Sequence, residues 1–281
     1  MTLRKSPSNR PSHYGQLSLN FEKRHGKTII ENYYQLPPLR SGRALHINPK
    51  NPSEATVYMV ETSGGLVAGD QNKFEINLAE DANVCLIPQS ATKAYPSFNG
   101  MWSTQNIDVS IGPKATLAWK TEAMIPYETA KFKGKTVINM AKDASLLWGE
   151  ILAPGRATHG EKLKYENLKT NFQVWLEDEC LIYDALSFSP NQTDLGQLGL
   201  LENHLYVGSL WFVNPNVEKI DIKQLNEELQ QIEDVKVGAA LLEKKAVNLR
   251  WLSSDLVLLK QEMDKIWEVL SDFIIEKKIE I

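Results

Sequence analysis

Three copies of one short pattern constrain this chain more than any other feature in it. They read Ile76-Asn-Leu-Ala-Glu-Asp-Ala-Asn-Val-Cys85, Val109-Ser-Ile-Gly-Pro-Lys-Ala-Thr-Leu-Ala118 and Ile138-Asn-Met-Ala-Lys-Asp-Ala-Ser-Leu-Leu147. Each is apolar-x-apolar, a three-residue break, a small residue, then x-apolar. The starts lie 33 and 29 residues apart, and a weaker fourth copy, Val174 to Ile182, puts Cys180 at the small position. Alternation on both sides of a tight break is the signature of paired strands with one buried face. Recurrence near thirty residues means that each unit buries its apolar face on its neighbours. The pattern predicts a stack of β-layers.

The remaining chain can supply the core of such a stack. Its 281 residues, 42% hydrophobic and 23% charged, have globular composition and allow one large β domain or two smaller ones. A net charge of -4 argues against nucleic-acid binding, which wants a basic face. The runs Glu177-Asp178-Glu179 and Lys131 to Lys135 read as solvated turns. The two cysteines, Cys85 and Cys180, lack CxxC or Cys/His spacing, so they read as reduced, packed small hydrophobes without structural zinc. Residues 1–20 hold no apolar signal-peptide core, and no run approaches the roughly 18 apolar residues that span a bilayer. The expectation is a soluble, by default cytoplasmic, protein with no membrane partner.

In order, residues 1 to about 14 are expected to lack order, and Leu17 to Tyr34 to form a hairpin turning at His25-Gly26-Lys27. Strands are predicted around Ala44 to Ile47 and Val57 to Val60. The loop Thr62-Ser-Gly-Gly-Leu-Val-Ala-Gly-Asp70 opens a strand rather than a helix and lacks Gly-Lys-Ser/Thr, so it reads as a tight crossover with a fixed Asp70, not a phosphate cradle. Beyond residue 215 the period changes. Asp221 with Gln224 resembles a capping box before a stripe of Ile222, Leu225, Leu229 and Ile232. Two strands, Val235 to Leu242 and Ala246 to Trp251, flank Glu243-Lys-Lys245. Ser253 or Ser254 can cap a last helix whose stripe includes Leu259, Met263, Trp267 and Leu270, serving either as core or as a docking face for a partner.

No catalytic arrangement emerges from the residues. The five histidines at 13, 25, 46, 159 and 204 are isolated, without metal-ligand or triad spacing. Carboxylates Glu122, Glu128, Glu150 and Glu161 follow strand ends at comparable places in successive layers, where a stack would set them above one another. Such a column could line a polar channel or be a wet face, and paired carboxylates for glycoside chemistry remain open.

The ordered set Gly64-Gly-Leu-Val-Ala-Gly-Asp70, Ser90-Ala-Thr-Lys-Ala-Tyr95, Gln105, Trp119, Ile125-Pro-Tyr-Glu-Thr-Ala130 and Gly155-Arg156…Gly160-Glu161 resembles the urease accessory protein family UreD, also called UreH. Leu249-Arg-Trp-Leu through Ile266-Trp267 fits too, and the match covers roughly residues 15 to 275. Departures are Ala68 for a glycine, Glu122-Ala123 for Gln-Glu or Gln-Pro, and Thr129 for a glycine. The resemblance implies one domain over 1–281: a mainly β, β-helix-like stack over 15–215 and a mixed part over 216–281 with two C-terminal α-helices. It implies no enzyme but a scaffold for urease apoprotein, UreF and the GTPase UreG, with no tightly bound cofactor and transient Ni(II). Nickel would follow an internal polar passage lined by Asp70, Glu122, Glu128, Glu150, Glu161 and Asp184, with Lys93 and Arg156 as counter-charges. Gly64, Gly65, Gly69, Gly155 and Gly160 are the family's backbone positions. A β-helical carbohydrate-active enzyme and a plain interaction module are the alternatives.

Overall fold

A computed structural model describes residues 13–229, 234–243 and 245–279. The expectations for residues 1–12, for Ile232 in the helical stripe and for Lys244 in its turn lie outside these residues. Tyr14, expected in the unordered segment, begins the first strand instead.

The chain opens on β1 (Tyr14–Arg24), β2 (Lys27–Leu36) and β3 (Leu39–Ser41). Then come β4 (Ala55–Glu61), β5 (Gln71–Leu78), β6 (Asn83–Pro88), β7 (Thr92–Ala94) and β8 (Ser103–Ile111). The stack continues with β9 (Thr116–Trp119), β10 (Ala123–Pro126), β11 (Lys131–Met140) and β12 (Ser145–Leu152). After β13 (Asn167–Leu176), β14 (Glu179–Phe188) and β15 (Tyr206–Val213) comes helix α1 (Ile222–Leu229). The chain ends with β16 (Val235–Leu242), β17 (Ala246–Ser253) and α2 (Leu256–Ile279). Two sheets result, ordered β14-β13-β11-β8-β5-β1-β2 and β16-β17-β15-β12-β9-β6-β4-β3, with β10 joining β12 to β7. This is the expected solenoid-like β-stack with two helices.

The repeat is the geometry of the stack. Ile76, Val109, Ile138 and Val174 are Cα partners across β5, β8, β11 and β13, and all are buried. In the first three copies the break is a corner that carries the chain from one sheet to the other, not a turn between paired neighbours. Ala82, Ala115 and Ala144 follow these corners and are buried because successive corners stack in hydrogen-bond contact. Thr116 N–H donates to the Ala82 carbonyl at 2.8 Å, and Ser145 N–H to that of Ala115 at 2.9 Å. The fourth copy differs: β13 and β14 form an antiparallel hairpin with a bulge at Val174/Trp175. Cys180 is therefore exposed rather than packed, whereas burial pushes the Cys85 thiol up to about 12.

Between the sheets runs an aromatic column. Trp119 stacks on Trp148 at 4.4 Å between centroids, and Phe172 on Trp211 at 4.1 Å. A second core lies under α2, on the other face of the second sheet. There Leu259, Met263, Trp267 and Leu270 are 0–7% exposed, so the expected docking face is the chain's own interior. Gly208 on β15 lets them approach, since a Cβ there would sit 2.7 Å from the Met263 sulfur.

Other local expectations are corrected. Asp255, not Ser253 or Ser254, caps α2 by accepting from Val257 and Leu258 N–H at 2.7 and 3.0 Å. Asp221 caps α1, but Gln224 donates to Glu228 instead of closing the box. The predicted strand at 44–47 reduces to one bridge, Leu45 to Thr56, while Leu39–Ser41 pairs with β4. No described helix is long and apolar enough to cross a membrane.

Candidate functional site

The inward-facing rows of the first sheet explain where a cavity forms. Leu17, Phe74, Ile107, Thr136 and Phe172 make one row, and the row two residues earlier is Gly15, Asn72, Gln105, Gly134 and Thr170. Gly15 is packed against Asn72, Pro38 and Leu39, but Gln105, Gly134 and Thr170 leave space before the second sheet unfilled. A cavity of about 130 Å³ remains, with Trp119 and Trp148 in its walls, room for a small cluster of waters.

Three carboxylates line it: Glu61, Glu122 and Glu150. Glu122 and Glu150 stand level because β10 pairs with β12 one residue beyond them, Ala123 opposite Ile151, and both border the cavity. Gly149 permits the approach, since a Cβ there would collide with Thr121. Glu122 accepts from Lys260 Nζ at 2.8 Å and from Ala123 N–H at 2.9 Å. Glu61 accepts from Ser63 Oγ at 2.9 Å, and burial raises its carboxyl above the ordinary range. Glu150 makes no ion pair and no side-chain hydrogen bond among the described residues. Burial, aided by the neighbouring Asp184 and opposed by Arg250, raises it to about 7. Near neutral pH it can therefore hold or release a proton, or exchange one for a cation.

Asp184 does not line the cavity; it pairs with Arg250 Nη2 at 2.6 Å, tying β14 to β17. The register runs Glu150, Ser209, Arg250 across β12, β15 and β17, so this ion pair stands behind Glu150. Beyond it lies a second hollow of about 340 Å³, mostly apolar, bordered by Arg250 and Lys236. Both cations are already engaged, Arg250 by Asp184 and Lys236 by Glu202.

The other expected site residues gather elsewhere. Arg156 pairs with Glu161, which holds that carboxyl below its usual range, and lies 4.3 Å over the Tyr127 ring. Glu128 donates its backbone N–H to Glu161 Oε2 at 3.4 Å, while its own side chain faces solvent. The expected column of four acids is thus split, Glu122 and Glu150 on the cavity and Glu128 and Glu161 away from it, because β10 lies between Glu122 and Glu128. Asp70 fastens the glycine loop, accepting from Val67 N–H at 2.8 Å with His13 at 3.7 Å. Gly64, Gly65 and Gly69 all take positive φ, and a Cβ on Gly65 would lie 2.7 Å from the Lys93 carbonyl. Gly155 and Gly160 also take positive φ, and a Cβ on Gly155 would strike the Glu161 carbonyl. Lys93 contributes this carbonyl to the crossover, and its charge acts on Glu61. Glu61, Lys260 and Arg250 were not among the expected residues. Glu61 alone had a local signal, its place just before the glycine loop.

Comparison with known proteins gives this architecture its relatives. Residues 13–280 match the family model described as UreD urease accessory protein. The urease accessory protein UreD of Sporosarcina pasteurii is 56% identical over 257 residues, 92% of this chain and 100% of that protein. The UreD proteins of Lysinibacillus sphaericus and Halalkalibacterium halodurans are 38% and 32% identical, covering 92% and 96% of this chain and 96% and 98% of their own.

Proposed function

The chain belongs to the UreD family of urease accessory proteins, and on that premise we propose that it serves urease maturation as a non-catalytic scaffold that passes Ni(II) through the cavity between its sheets. In this reading it holds the urease apoprotein together with UreF and UreG in the cytoplasm. Nickel is cargo, not a resident cofactor.

Glu150 carries the reading: a cavity carboxylate, unpaired among the described residues, that titrates near neutrality. Ni(II) favours imidazole and thiolate ligands, so a single carboxylate with water holds it only weakly, which suits handover better than storage. Glu61 and Glu122 add negative potential to the same space while being held by Ser63 and Lys260. The aromatic wall keeps that space shaped when water or an ion enters it.

The test is reconstitution from purified parts. Urease apoprotein, UreF, UreG, GTP, bicarbonate and Ni(II) are combined with and without this chain, and nickel bound to urease is measured after gel filtration. The expected result is loading that depends on the chain, with no turnover of glycans by the chain alone. Equal loading in its absence refutes the role.

A further inference from the structure

We propose that the knuckle at residues 97–101, with the lysines beside it on β11 and β13, docks a partner protein whose matching surface is an apolar depression ringed by carboxylates. Phe98 and Met101 are 60% and 45% exposed, and Val67 beside them is 43% exposed. The knuckle is held in place by its own hydrogen bonds. Met101 N–H donates to the Phe98 carbonyl at 3.1 Å, Ser97 Oγ to the Met101 carbonyl at 2.7 Å, and Ser97 N–H to the Thr129 carbonyl at 3.2 Å. Gly69 N–H, donating to Trp102 at 3.2 Å, brings the Val67 turn alongside.

The charge next to it is mainly positive, although Glu166, paired with Lys131 beside Gly100, also borders it. Lys133 and Lys169 are Cα partners on neighbouring strands, both exposed, and Lys169 Nζ lies 5.4 Å over the Trp102 ring. Exposed Lys164 lies on the knuckle's other flank, its carbonyl accepting at 2.9 Å from the N–H of Thr129, the residue that holds Ser97. Among the described residues no carboxylate pairs with Lys133, Lys164 or Lys169. On the same sheet Lys73 and Lys131 are paired, with Glu75 and Glu166. Exposed Glu128 only partly offsets this face, in a chain whose net charge is -4.

Neighbouring like charges repel, and Lys133 and Lys169 sit side by side on parallel strands, so a carboxylate placed between them would relieve that repulsion. Exposed Phe and Met at the centre, with charge at the margin, is the composition of protein interfaces. Anionic lipid or nucleic acid would match the lysines, but the acidic remainder of the chain opposes both. The inference relies on the scaffold reading only for its choice of probes, not on the nickel route.

The experiment measures binding of the full chain to purified urease apoprotein, UreF and UreG, each at low and high salt. Phe98→Ser should weaken binding to one of them by about tenfold or more. Lys133→Glu with Lys169→Glu should weaken the same complex and flatten its salt dependence. Lys133→Gln should raise the melting temperature of the free chain by about 1–3 °C while lowering affinity, a pairing of signs that a purely structural lysine would not give. Wild-type affinity in these variants overturns the assignment of this face. Loss of binding only to phosphatidylserine vesicles or duplex DNA overturns the protein-partner form. A wild-type chain that binds no protein probe overturns both this inference and the scaffold reading.

Discussion

Lys260, on the C-terminal helix, donates to Glu122 on the cavity wall at 2.8 Å. A residue far along the chain therefore sets how much negative charge the cavity offers. Lys260→Met should leave stability within about 1 kcal/mol, because the pair is partly exposed. It should also free a second carboxylate and tighten retention of Ni(II), read by equilibrium dialysis. Unchanged retention would show that Glu122 plays no part in holding the ion.

Glu150 gives the fold a pH dependence of known sign. Its folded value of about 7 lies above the ordinary 4.5, so the folded chain binds this proton more tightly than the unfolded one. The associated stability is complete below the ordinary value and is lost as pH rises through about 7. Glu150→Gln removes this loss. Urea melts should show the variant more stable than wild type at pH 8 by on the order of 2 kcal/mol, with little difference near pH 4.5. An equal offset at both values would contradict the burial argument.

Asn226 guards an edge. Its Nδ2 donates to the Ala239 carbonyl and its Oδ1 accepts from Ala239 N–H, both at 2.8 Å, so a side chain occupies a strand's place beside β16. Asn226→Ala should cost about 1–3 kcal/mol and leave two backbone groups open to another molecule. Denaturant titration and gel filtration over a concentration series check this. Monomeric behaviour with unchanged stability would sink it.

The repeat predicts opposite outcomes at equivalent positions. Ala115 is buried at a stacked corner, whereas Cys180 occupies the same place in an exposed hairpin. Ala115→Leu should destabilise by about 1–3 kcal/mol through overpacking, and Cys180→Leu by no more than about 0.5 kcal/mol. Similar melting shifts for both would mean that the corners do not stack.

These contrasts also show what the residues disclosed. Ile76, Val109 and Ile138 announced the stack because one inward position recurs in each layer, and the structure sets them in register. That the break was a corner was not legible, since alternation looks the same whether the next strand pairs beside the last or crosses to another sheet. Glu150 was identifiable as an acid at a strand end. Its difference from Glu128 was not, because Glu150 is enclosed by strands paired from distant parts of the chain, whereas Glu128 follows the end of β10 into solvent. Leu259 and Trp267 read equally as core or docking face until Gly208 was seen beneath them. Arg250, although inside the Leu249-Arg-Trp-Leu run, and Lys260 gave no sign of their roles, because their partners Asp184 and Glu122 lie far away in the chain.

The most direct test uses Glu150→Gln and Glu128→Gln chains that still co-elute with UreF, UreG and urease apoprotein. Nickel in the gel-filtered urease should fall several-fold for Glu150→Gln and stay at the wild-type level for Glu128→Gln. Full loading by the Glu150→Gln assembly would mean that the ion does not pass through the cavity.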